Sequence, residues 1–112
     1  MAAYDKAHEL ARELKGSDEY KEYQKAKQEL QSNDAALSIL KEFQKKRLEF
    51  EMAFLTGKEP DSSKKKDMER LNEIVSMHGA VKRFLDAEQR IMVMVTDIQN
   101  ILTEALNLLD YR

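Results

Sequence analysis

The chain has no cysteine, no tryptophan, one proline and three glycines in 112 residues. Without thiols there can be no disulfide framework, thiolate zinc site, iron–sulfur cluster held on protein sulfur or cysteine nucleophile. With so few turn-formers the chain cannot supply the turn every eight to twelve residues or so that β-sandwiches and barrels need. An excess of one charge is missing too. Residues 1–56 carry 10 basic and 11 acidic groups and residues 57–112 carry 9 and 10, so neither half is a basic surface suited to phosphate. The longest uninterrupted apolar run, Ile91 to Val95, is far short of a membrane span. The N-terminal MAAYDKAHEL has no apolar h-region of a signal peptide. These absences predict a cytoplasmic protein with no membrane association.

What is present favours helix. Apolar residues make up 42% and charged residues 36%, and the mean hydropathy of −0.68 reflects abundant Lys, Glu, Asp and Gln, most of them good helix formers. The length suits one domain, residues 1–112. The glycines and the proline divide it into about five helices. Tyr4, Ala7, Leu10, Ala11 and Leu14 line one face of a first helix, with Gly16 at C′ and Ser17 as the next N-cap. Tyr20, Tyr23, Ala26 and Leu30 line a second helix, ended by Ser32-Asn33-Asp34. A third spans roughly 34–56, and Gly57 to Ser62 is the clearest loop. A fourth, about 62–77, carries Met68, Leu71, Ile74 and Val75 and stops at His78-Gly79. The fifth runs from about 80 to 109 without an internal breaker.

Two helices carry more apolar surface than one neighbour can cover. On the fifth, positions 81, 84, 88, 91, 95, 98, 102, 105 and 109 form a heptad seam that is apolar except at Glu88. Leu85, Met92, Met94, Ile101, Leu106 and Leu108 form a second set beside it. On the third, Leu40, Phe43, Phe50 and Phe54 make one stripe and Leu48, Met52 and Leu55 another. A helix packed on a single neighbour needs one stripe. Thirty helical residues also extend about 45 Å, past the roughly 35 Å diameter of a compact chain of this length. The expected architecture is an elongated antiparallel all-α bundle with a long C-terminal helix, assembled as a homodimer or dimer of dimers. Its expected interface comprises Leu48, Met52 and Leu55 with Ile91, Met92, Met94, Val95, Ile98, Ile101 and Leu102. A monomeric bundle that buries everything internally is the alternative.

Candidate chemistry is sparse. His8-Glu9-Leu10-Ala11-Arg12 has the opening of a zincin motif, but Arg12 stands where a second histidine ligand would be needed. His78 reads as a C-terminal cap on the fourth helix. Glu88 could be an acid with a shifted pKa or a partner-recognition residue; the favoured reading pairs it with Arg47, a polar contact that fixes register. Lys64-Lys65-Lys66 and Lys41, Lys45, Lys46 and Arg47 are diluted by acidic neighbours and read as solvated helix faces. Met92 and Met94 read as core filling rather than an adaptable contact surface. No P-loop, Rossmann glycine pattern, G-x-S-x-G or EF-hand loop occurs. No catalytic residue, cofactor, metal or small-molecule substrate is implied.

YDKAHELARELKGSDEYKEY (4–23), TGKEP (56–60) and LDAEQRIMVMVTDIQNILTEAL (85–106) together resemble the YlbF/YmcA family of small helical Firmicute proteins, and within it the YheA branch. The resemblance covers nearly the whole chain and implies an all-α, self-associating protein. It also implies a setting: YlbF and YmcA form a complex with YaaT that modulates RNase Y and influences competence, sporulation and biofilm formation. That complex is associated with iron–sulfur clusters bound through cysteines, which this chain cannot provide, so no site residue carries over. The resemblance thus points to a non-enzymatic adaptor whose partners are itself and, beyond itself, other family members or RNase Y-associated proteins. A purely structural homo-oligomer or an RNA-contacting accessory is the alternative.

Overall fold

The computed structural model describes residues 1–59 and 61–108. Five helices follow one another: α1 (Ala2–Lys15), α2 (Asp18–Gln31), α3 (Asp34–Leu55), α4 (Ser62–Met77) and α5 (Gly79–Leu106). No strand occurs among the described residues. The starts of α2, α3 and α4 each have a local cause. The Ser17 hydroxyl accepts from the Tyr20 N–H at 3.2 Å and donates to the Leu14 carbonyl at 2.6 Å, so one side chain closes α1 and opens α2. Asn33 accepts from the Ala36 N–H at 3.1 Å to open α3, and Asp61 accepts from the Lys64 N–H at 2.8 Å to open α4. Acidic Asp18, Glu19 and Asp34 lie in first turns, where the helix dipole favours them.

The ends differ from expectation in one place. Gly16 keeps right-handed backbone (φ −86, ψ −4), because its N–H can reach the Arg12 and Glu13 carbonyls without a left-handed turn. The left-handed glycine is Gly57 (φ +76), which terminates α3 in a Schellman motif. Its N–H donates to the Phe54 carbonyl at 3.1 Å and the Lys58 N–H to the Ala53 carbonyl at 2.9 Å. His78 takes extended backbone (φ −105, ψ 102), and its N–H donates to the Val75 carbonyl at 3.1 Å. His78 is thus the C-cap of α4, as expected, through its backbone, and its buried side-chain Nδ1 has no hydrogen-bond partner. The seam residue at 109 lies outside the described residues.

The chain forms two compact units, Ala26–Phe84 and Met1–Lys25 with Leu85–Arg112, and α2 and α5 contribute to both. In the unit spanning 26–84, α3 and α4 pack on each other. Ala26, Leu30, Ala36, Leu40, Phe43, Leu71, Val75, Ala80, Val81 and Phe84 are its buried apolar residues. Five of the ten are alanine or valine, and small side chains let helix backbones approach closely. In the other unit Ala87 is the one buried apolar residue among those described. Its α1 buries no residue, although Tyr4, Leu10 and Leu14 share a face.

Candidate functional site

Apolar side chains left in water are the chief feature of the surface. On α3, Leu48, Met52, Phe54 and Leu55 are 59%, 50%, 58% and 80% exposed. Leu48, Met52 and Ala53 form the apolar floor of a shallow groove of about 570 Å³, rimmed by Thr56, Lys58 and Lys64. Phe54 stands edge-on to Phe50 with ring centroids 5.3 Å apart, so Phe50 is half-covered while Phe54 stays outside. A smaller recess of about 250 Å³ lies beside the start of α4, lined by Lys46, Glu49, Asp61 and Asp67 among others. Its two lysines and three carboxylates leave a net charge of only −1, a weak field for selecting a charged ligand.

On α5 the expected interface residues divide by position. Ile91, Met94, Val95 and Ile98 are half-buried; Met92, Ile101 and Leu102 are 54%, 65% and 56% exposed. Met92 therefore does not fill the core of its own chain. Leu106, from the second apolar set, is 64% exposed and extends the same surface. Exposed Met77 carried no signal in the sequence, since it sits at the very end of α4, where periodicity gives out.

Arg47 is engaged on its own helix. Its Nε lies 4.0 Å from a Glu51 carboxylate oxygen and its guanidinium carbon 5.7 Å from the Phe43 ring centroid, a cation–π distance. Glu88 is half-buried on α5. The lysine runs are exposed except for the half-covered Lys46, which lies 3.8 Å from Glu49; Asp67 lies 3.8 Å from Arg70 one turn on. An ion pair that sequence reasoning missed joins residues 54 apart. Arg83 donates through Nε to Glu29 at 3.1 Å and through Nη2 to the other carboxylate oxygen. That hydrogen bonding first, and the carboxylate charge second, raise the guanidinium pKa above its ordinary value. No local motif could have signalled a pair so distant in sequence.

Among the described residues no three His, Asp or Glu side chains are placed to hold a metal ion. None of the described helices is long and apolar enough to cross a membrane. The geometry defines a protein that is helical throughout its described elements and carries exposed apolar faces. The chain belongs to the YlbF/YmcA family: the family model described as "Control of competence regulator ComK, YlbF/YmcA" matches residues 3–107. It is 39% identical over 108 residues to a UPF0342 protein of Halothermothrix orenii, covering 96% of this chain and 92% of that one. A UPF0342 protein of Symbiobacterium thermophilum is 36% identical over 104 residues, covering 93% of each. A solved structure, a protein of unknown function (DUF964) from Bacillus stearothermophilus, superposes with a TM-score of 0.81 at 12% identity. It covers 96% of this chain and 94% of that chain, and shows the same fold.

Proposed function

We propose that this chain is a non-enzymatic, self-associating adaptor that acts through its helical faces in the regulatory setting for which its family is named. The observation that carries the reading is the run of half- to four-fifths-exposed apolar side chains on α3 and α5. Apolar surface of that extent usually marks a site of protein contact. Membership of a family described by control of a competence regulator supplies the setting. It supports partners among other family members and RNase Y-associated proteins in RNA decay, competence, sporulation or biofilm control. The charge balance, −2 overall with acids interleaved among the lysines, disfavours nucleic acid as the principal partner. Cytoplasmic residence is part of the same reading.

Affinity capture with the tagged full-length chain in a Firmicute lysate, read by mass spectrometry and by nucleic-acid staining, tests it. Enrichment of RNase Y or its associated proteins, retained at high salt, is the expected result. Salt-sensitive RNA without those proteins would favour an RNA-contacting accessory instead. A chain that captures neither and sediments as a monomer would overturn the adaptor.

A further inference from the structure

We infer that the exposed face of α3 docks an amphipathic helix of another protein, one whose apolar stripe ends in acidic residues on both sides. The inference rests on the adaptor reading above and names the chemistry of the partner.

Positions 41, 45, 48, 52 and 55 alternate in steps of four and three, so they share one face of α3, and all five are exposed. They read Lys, Lys, Leu, Met and Leu. The buried side of the same helix carries Ala36, Leu40 and Phe43. The apolar part of the exposed face is concave: Leu48, Met52 and Ala53 floor the groove of about 570 Å³. Two lysines on its rim are placed by the backbone. The Lys58 N–H donates to the Ala53 carbonyl at 2.9 Å, which folds Lys58 back over the last turn of α3. Lys64 sits in the first turn of α4, its N–H held by Asp61 at 2.8 Å. From Lys45 to Leu55 the face extends about 15 Å, close to three turns of a helix laid along it.

Charge selects the occupant. Lys41 and Lys45 stand at one end of the apolar stripe, Lys58 and Lys64 at the other. None of the four forms an ion pair among the described residues. Three carboxylates also line the groove, but two are engaged. Glu49 lies 3.8 Å from Lys46, and Asp61 caps α4, which leaves Glu59. Residues 41–66 carry eight basic and five acidic groups, while the other 86 residues carry 11 and 16. With lysine at both ends, a second copy laid on this face in either direction would set lysine against lysine. A helix with acidic ends is complementary in both directions. An anionic membrane fits less well, because Glu42, Glu49 and Glu51 flank the stripe and a bilayer surface has no ridge to fill a groove.

Fluorescence anisotropy of a labelled synthetic helix against the full-length protein tests the inference. The probe has about 18 residues, with leucine along one face and a pair of glutamates at each end. A control peptide carries lysines in place of those glutamates. The glutamate peptide should bind in the micromolar range, about tenfold or more tighter than the lysine peptide, and the preference should shrink as salt rises. Lys41→Glu combined with Lys45→Glu should remove the preference with unchanged helical circular dichroism, and Met52→Glu should abolish binding. Should Met52→Glu misfold, the two exposed lysine positions carry the test alone. A glutamate peptide that does not bind, or that binds no more tightly than the lysine peptide, overturns the inference. So does a preference that survives Lys41→Glu with Lys45→Glu, or binding to phosphatidylglycerol vesicles with no binding of the peptide. The adaptor stands or falls separately. A lysate capture that enriches the same proteins with and without Lys41→Glu and Lys45→Glu keeps the adaptor and overturns this face, whereas an empty capture beside intact peptide binding overturns the adaptor alone.

Discussion

Arg83, in the second turn of α5, grips both carboxylate oxygens of Glu29 in the last turn of α2, with its Nε at 3.1 Å. The planar guanidinium suits a two-point contact that lysine cannot reproduce. The raised pKa sets the sign of the pH dependence. A cation whose folded-state pKa lies above its unfolded value contributes stability below both values and loses it as pH rises through them. For arginine that window is strongly alkaline, so Arg83 contributes constantly through the neutral range. In a double-mutant cycle with Glu29→Gln and Arg83→Lys, urea denaturation should show a favourable coupling that shrinks with added salt. A coupling indifferent to salt would mean that the pair acts through packing instead.

Gly79 sits against this pair. A Cβ added there would lie 3.0 Å from Arg83 Nη1, so an alanine must push the guanidinium aside. Alanine also improves helix propensity. Gly79→Ala should therefore stabilise the protein more in an Arg83→Ala background than in the wild type, as measured by the denaturation midpoint. Equal effects in the two backgrounds would show that the guanidinium moves freely.

Gly57 fixes the end of α3 by a conformation other residues adopt at a cost. With φ at +76 it needs a left-handed backbone, although a side chain would meet nothing within 4 Å. The penalty for Gly57→Ala is thus conformational alone, about 1–2 kcal/mol, and Gly57→Asn should cost less because asparagine tolerates this region. Chemical denaturation of the two variants checks the order. A neutral Gly57→Ala would mean that the turn can re-form without the Schellman bonds.

Gly57 and Gly16 also show where sequence reasoning stops. Both follow apolar helical patterns, and from sequence either could be the left-handed terminator. Ser17 makes the difference at Gly16: its hydroxyl bonds both backwards and forwards, so α2 begins at once and no reversal of handedness is needed. The helices themselves were legible because caps and breakers act within four residues. The apolar stripes were legible as periodicity. Which stripe is covered was not, because that depends on contacts between distant segments; Met52 and Phe43 lie in equally regular stripes of α3, yet one is half exposed and the other buried. Arg47 lies 4.0 Å from Glu51, one turn away on its own helix, a pairing as simple to read from the sequence as the expected one with Glu88.

That difference in cover separates two kinds of leucine and phenylalanine. Phe84 is 6% exposed in the core of the unit spanning 26–84, and truncation leaves a cavity. Phe84→Ala should cost about 3–5 kcal/mol, a large share of the roughly 5–15 kcal/mol that a domain has in total. Leu55 is 80% exposed, and Leu55→Ser should change unfolding free energy by no more than about 0.5 kcal/mol. A large loss from Leu55→Ser at high dilution, where association is negligible, would show that α3 hides this residue within its own chain.

The end of α5 offers the opposite experiment, a gain. Asn107 holds φ at +53, and the bonds from its N–H to the Glu104 carbonyl (3.4 Å) and from the Leu108 N–H to the Thr103 carbonyl (3.3 Å) repeat the Schellman pattern of α3. Those bonds are longer than their counterparts around Gly57, at 3.1 and 2.9 Å. Glycine adopts this backbone without the steric penalty, so Asn107→Gly should tighten the cap and stabilise the last turn by a few tenths of a kcal/mol to about 1 kcal/mol. Amide exchange resolves the effect locally: protection should rise at residues 104–108 and stay unchanged in α3. Protection that falls would mean that asparagine stabilises this turn through its side chain, and that the backbone conformation is not the cost.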